Sequence, residues 1–270
     1  MDLTQLVLNR IDGYLLILAR TSGIFAVAPF LGSRYIPATV RAALAFLVSI
    51  LLLPLVPGAG VGAQNIIGYA TVLLSEAVIG LLIGYASLLI LVGVQVAGQI
   101  LDLDMGFSIV NVVDPHLNIE SPLIGNFQYL LGLLFFLTVD GHYWLLAALA
   151  QSFRALPPGA AGFLGSGLAV QGSTAGQGLA GSLVDLFAQM FAIAVKLALP
   201  ILAGLFLTTV ALGIVARTVP QLNVFMVGLP LKAVVGMALL AVVLPLYVFA
   251  LDSALGRMYT SFFGVIANLR

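Results

Sequence analysis

Six ionisable side chains, Arg20, Glu76, Asp140, Asp185, Lys196 and Lys232, fall inside otherwise apolar stretches of this sequence. An unpaired charge is costly in hydrocarbon, so such residues are the first candidates for ion or proton coupling in a membrane protein. A coupled carrier would turn several of them into one cavity, and Glu76 and Lys196 are the deepest in their segments. The competing use is structural: pairing across helices, or reaching along a helix to the interface. Spacing alone does not bring Glu76 to Lys196.

Other chemistries are poorly supplied. The chain has no cysteine, so disulfides, thiolate metal sites and cysteine nucleophiles are excluded together. Its two histidines, His116 and His142, are 26 residues apart, which does not suggest a histidine metal site. The Gly-x-Ser-x-Gly elbow, the P-loop and the His-Glu-x-x-His helix are absent. Asp102 and Asp104, two residues apart, point to different faces of a helix. No catalytic, cofactor or metal site is expected. Ten acids cancel ten bases, leaving no field to recruit nucleic acid.

The elements that hold these residues are membrane helices. The composition is 62% hydrophobic and 7% charged, with a mean hydropathy of +1.20. A run of 34 residues between Arg41 and Glu76 carries no charge, and a further 25 follow from Ala77 to Leu101. That pattern predicts an all-α, polytopic integral membrane protein of about six long, partly broken helices arranged as hairpins. The whole chain, 1–270, reads as a single membrane domain. Asp2 ahead of Arg10, and Arg20 within the first apolar stretch, argue against a cleaved signal peptide.

Segment by segment, helices are expected at about Ile11–Phe30, Ala42–Val56 and Ile66–Leu101. The third stretch has 36 residues. As one straight helix it reaches ~54 Å, against a hydrocarbon core of ~30 Å. It must tilt, break near Gly80 or Gly84, or project into water or a partner. Gly80-Leu-Leu-Ile-Gly84 is also a small-xxx-small element suited to close helix approach. An acidic connector follows, Leu101–Pro122. Leu123–Gln151 is interrupted by Asp140-Gly141-His142 and reads as two short helices meeting at a turn. After the loop Arg154–Gly178, Leu179–Ala216 and Asn223–Leu251 form an antiparallel helical hairpin. Three connector arginines on one nominal side (Arg34, Arg41, Arg217) against four on the other (Arg10, Arg154, Arg257, Arg270) give no orientation.

An ordered set of short motifs runs through the chain. Arg20-Thr-Ser-Gly23, Pro29 and Pro37-Ala-Thr-Val-Arg41 are followed by Gln95-Val-Ala-Gly98, Asp102-Leu-Asp-Met-Gly106 and Asp114-Pro115. Asp140-Gly-His142, Ser152-Phe153 with Pro157, and Arg217-Thr-Val-Pro-Gln-Leu-Asn-Val-Phe225 with Gly228, Pro230 and Lys232 complete it. Together they resemble the FliR family of flagellar export-gate proteins, to which the injectisome SctT proteins are homologous.

The resemblance implies a non-enzymatic subunit that joins FliP and FliQ in a helical, hetero-oligomeric export gate. The gate works with FlhB and FlhA in the inner membrane at the flagellar basal body, and unfolded flagellar proteins are its cargo. It also implies a FliP-like part at about 95–153 and a FliQ-like hairpin at about 179–270. On this reading Met105, Gly106, Phe107, Ser108, Ile109 and Val110 form a pore plug, since flexible and aromatic side chains can repack around varied cargo. The alternative for that segment is a packed interhelical turn. Arg217, Pro220, Gln221, Asn223 and Lys232 are expected to contact a neighbouring subunit or FlhB, or else simply to cap and turn the hairpin. The alternative function is an ion-coupled small-solute transporter centred on Glu76 and Lys196.

Overall fold

The computed structural model describes residues 3–33, 36–56, 66–108, 122–159, 179–219, 221 and 223–268. These residues form helices only: α1 (Leu3–Val27), α2 (Ala38–Leu52, continued by a 3-10 turn Leu53–Leu55), α3 (Ile66–Met105), α4 (Leu123–Thr138), α5 (Gly141–Ala155), α6 (Leu179–Thr218) and α7 (Val224–Asn268). Four of them are long and apolar enough to cross a membrane, or five if α4 and α5 count as one broken span. The sequence suggested about six; α1 falls outside the set, and it carries Arg10, Asp12 and Arg20 within 25 residues.

Local chemistry sets the breaks. Pro37, with no backbone N–H to offer, stands at the start of α2, and Pro54 closes the helix in the 3-10 turn. Between α4 and α5 the chain bends by 67°. Asp140 takes the left-handed region there, φ 56° and ψ 34°, a conformation that Asp tolerates better than most residues. Gly141 follows because the Phe136 ring occupies the space a β-carbon would need. The two-helix reading of this segment holds.

The third stretch does not break. Helix α3 is continuous over 40 residues, about 60 Å at the helical rise. Gly80 and Gly84 serve another purpose: they seat α1. A β-carbon on Gly80 would strike the backbone carbonyl of Arg20, and one on Gly84 would lie 2.8 Å from the carbonyl of Ile24. The small-xxx-small element is therefore used within the chain.

Two compact units emerge, Met1–Leu89 with Phe136–Phe187 and Gly256–Arg270, and Ile90–Phe135 with Ala188–Leu255. In the first, α1 runs parallel to the N-terminal half of α3, with Tyr69 Oη donating to the Asp12 carbonyl at one end and Gly84 against Ile24 at the other. Helix α2 packs on α1, where the rings of Tyr14 and Phe46 meet edge to face at 5.6 Å. In the second unit α6 and α7 form the expected antiparallel hairpin: Gly204 lies against Leu239, and Gly228 against Leu212. Both helices outrun their expected ends, to 40 and 45 residues, and both keep internal prolines (Pro200; Pro230 and Pro245).

Candidate functional site

In the first unit the buried charges collapse into one cluster. Arg20 Nε and Nη2 both lie 2.6 Å from Glu76 Oε2, and neither side chain is exposed. Arg20 Nη1 donates to Ser152 Oγ and Nη2 to the carbonyl of Leu156, each at 3.1 Å. The Phe153 ring stacks on the guanidinium at 4.4 Å. Glu76 Oε1 accepts the Gly159 N–H at 3.1 Å. Two ions removed from water repay their desolvation only when geometry is good and the remaining donors and acceptors are met. Here both carboxylate oxygens are engaged and every guanidinium nitrogen has a partner. The cluster ties α1, α3 and the end of α5 together, which is a fastening role.

Burial fails for the other ionisable candidates. Asp140, Lys196 and Asp185 are all exposed, which corrects the expectation that Asp140 and Lys196 are buried. Asp140 sits at the tip of a bend, and Lys196 lies on an outward face of α6 beside exposed Val195 and Leu199. Glu76 is held by Arg20 and Gly159.

In the second unit the two neighbouring aspartates do take different faces. Asp102, 1% exposed, accepts the Ile124 N–H on Oδ1 at 2.9 Å and the Gly125 N–H on Oδ2 at 3.0 Å. It caps α4 from another helix, supplying the negative charge that a helix N-terminus favours. Pro122, just ahead of α4, has no side-chain acceptor to do this locally. Asp104 pairs with Lys232 at 3.4 Å in a half-exposed contact. Lys232 is therefore turned to α3. Sequence reasoning missed the cap because its partners lie 22 residues or more away; the one available signal was an acid at the end of an apolar run.

The start of the plug segment is well anchored. Met105 is 1% exposed and fills the space beside Gly236 of α7, where a β-carbon would meet its Cε. Gly106 (φ 87°) ends α3 in the left-handed region, its N–H bonded to the Leu103 carbonyl. Gly106, Phe107 and Ser108 are half-buried. Ile109 and Val110 lie outside the described residues.

At the hairpin turn Arg217, Gln221 and Asn223 are exposed, and Pro220 lies outside the described residues. Asn223 starts α7: its carbonyl accepts from Met226 and Val227, and its Oδ1 from Met226 at 3.4 Å. Arg217 occupies the last turn of α6, where a cation suits the helix dipole. Among the described residues no cluster of three or more His, Cys, Asp or Glu could hold a metal ion.

Long apolar helices, charges spent on fastening and capping, and wide exposed apolar faces define a class: a polytopic helical membrane protein. Residues 11–258 match the family described as bacterial export proteins, family 1. The flagellar biosynthetic protein FliR of Bacillus subtilis (strain 168) is 37% identical over 239 residues, 87% of each chain. FliR of Escherichia coli (strain K12) is 30% identical over 239 residues, covering 88% of this chain and 87% of that one. FliR of Aquifex aeolicus (strain VF5) is 30% identical over 218 residues, 81% of this chain and 80% of its own. The chain belongs to this family of FliR flagellar export proteins. It is a membrane-located structural component of the flagellar export apparatus, not an enzyme.

Proposed function

We propose that this chain joins FliP and FliQ to form the inner-membrane gate of the flagellar basal body, through which unfolded flagellar proteins leave the cytoplasm. The observation that carries the reading is unburied apolar surface. In the most apolar stretches of α6 and α7 only 33% and 22% of residues are buried, against 61% in α3. Phe206, Leu207, Ile214, Val234, Val242 and Phe249 are each more than three-fifths exposed. At about 60 and 68 Å these helices are roughly twice the thickness of a hydrocarbon core. Lipid alone cannot cover such lengths, and sister subunits can.

Within this reading, residues 95–153 act as the FliP-like part and 179–270 as the FliQ-like hairpin. The Met105–Val110 segment is the plug, with Met105 seated against Gly236. Arg217, Pro220, Gln221 and Asn223 offer a polar turn to FlhB, and FlhA supplies the rest of the export machinery. The testing experiment is genetic and biochemical. Removing the chain from a flagellated host should abolish secretion of hook and filament proteins, and restoring it should rescue them. Normal secretion without the chain would end the proposal.

A further inference from the structure

The second unit holds a cavity of about 80 Å³ between α3, α4 and α7. Val94, Leu131, Phe135 and Leu251 supply apolar walls, and the cavity opens past the exposed Leu244 and Val248 of α7. Two polar side chains share the lining: Gln128 of α4, 1% exposed, and Tyr247 of α7, 6% exposed. Gln128 Nε2 donates to Tyr247 Oη at 2.8 Å. Gln128 Oε1 is buried with no hydrogen-bond partner among the described residues. It lies toward Gly98, which has no side chain to meet it. Turning the amide over would hand its oxygen to the Tyr247 O–H and leave its nitrogen unmet instead, so the pair is one hydrogen bond short either way. Buried polar groups are nearly always satisfied in folded chains, and one that is not calls for an explanation.

Volume and polarity together select the occupant. A water needs about 10–15 Å³ on this measure and about two to four polar partners, whereas an engineered apolar cavity of ~150 Å³ stays dry and admits benzene. About 80 Å³ has room for several waters, yet one polar pair is there to hold them. A single hydroxyl on a short alkyl chain suits both facts. The hydroxyl donates and accepts, so it meets the amide in either orientation, and the chain fills the apolar remainder. We propose that this cavity binds a small alcohol of about three or four carbons. Its hydroxyl sits on Gln128 and Tyr247, and its alkyl chain lies among Val94, Leu131, Phe135 and Leu251. Such an occupant joins α4 to α7. The inference rests on the second unit alone and is independent of the export-gate reading.

The probe is azibutanol, a butanol carrying a photoreactive diazirine. It is added to the full chain extracted with its co-expressed partners and irradiated, and its adducts are located by peptide mass spectrometry. The expected result is saturable labelling of Tyr247 or of its buried neighbours Val94 and Leu251. That labelling should be displaced by n-butanol and not by the same concentration of n-pentane, which has a similar shape without the hydroxyl. Gln128→Leu and Gln128→Met, apolar replacements of similar volume, should each lower it about five-fold, the worth of one hydrogen bond. Competition by pentane as strong as by butanol would overturn the proposal, because the cavity would then be read as plainly apolar. Labelling unchanged by both substitutions would overturn it too. So would adducts confined to exposed residues, the outcome for a cavity that holds water alone. The pentane comparison needs no variant, so it decides the matter even where a substitution spoils the fold.

Discussion

Glu76 holds Arg20 at 2.6 Å with neither side chain exposed, and the same carboxylate reaches the Gly159 N–H with its other oxygen. The pair thereby fastens the segment after α5 to the α1–α3 contact. Removing one member strands the other in an apolar setting, at a cost of about 3–5 kcal/mol. Arg20→Ala or Glu76→Ala should each lower the melting temperature of the detergent-extracted protein and its steady-state level. The double variant should lose clearly less than the sum of the two singles, which a double-mutant cycle measures. Additive losses would mean the two groups act independently.

Gly80 gives a steric counterpart. A methyl group there would meet the backbone carbonyl of Arg20, which cannot swing aside as a side chain can, whereas one at Gly68 would meet nothing within 4 Å. Gly80→Ala should therefore part α1 from α3 and reduce protein level and motility. Gly68→Ala should be neutral or stabilising by about 0.5–1 kcal/mol. Protease resistance of membranes carrying each variant distinguishes them, and equal resistance would contradict the packing described.

Asp102 is satisfied by two backbone N–H groups of α4. Asp102→Asn keeps one acceptor and should cost about 1–2 kcal/mol, while Asp102→Leu leaves both donors unmet and should cost more. Thermal unfolding of the two variants should fall in that order. If Asp102→Leu were the milder change, the cap would not stabilise α4.

The proposed plug makes a conductance prediction. Shortening Phe107 and Ile109 to Ala should raise resting ion leak across the membrane, because the plug segment loses bulk. Met105→Ala should act differently: it empties space beside Gly236 and should lower stability by about 2–5 kcal/mol, as buried truncations do. Unchanged leak in the Phe107 and Ile109 variant, with export intact, would remove the plug assignment.

Sequence and structure agree where hydropathy alone decides. The apolar stretches, the interruption at Asp140–His142 and the final hairpin were legible because each is a local property of the chain. The faces were not. Glu76 and Lys196 stand at similar depth within their segments, yet Glu76 turns inward to Arg20 and Lys196 turns outward, a difference set by which side of α3 and α6 meets a neighbour. Gly80 and Gly84 offered a break or a close helix approach, and only the position of α1 shows that the approach is made within the chain. Lys232 was grouped with the Arg217 turn through the family resemblance, but its ion pair is made across helices with Asp104.

The central claim is that the long apolar helices are covered chiefly by neighbouring chains. Its most direct measurement is the native mass of the particle extracted in mild detergent, with and without co-expressed FliP and FliQ. The account expects a discrete hetero-oligomer containing all three when they are present, and an unstable or aggregated chain when they are absent. A stable, well-behaved monomer that takes up neither FliP nor FliQ would contradict it.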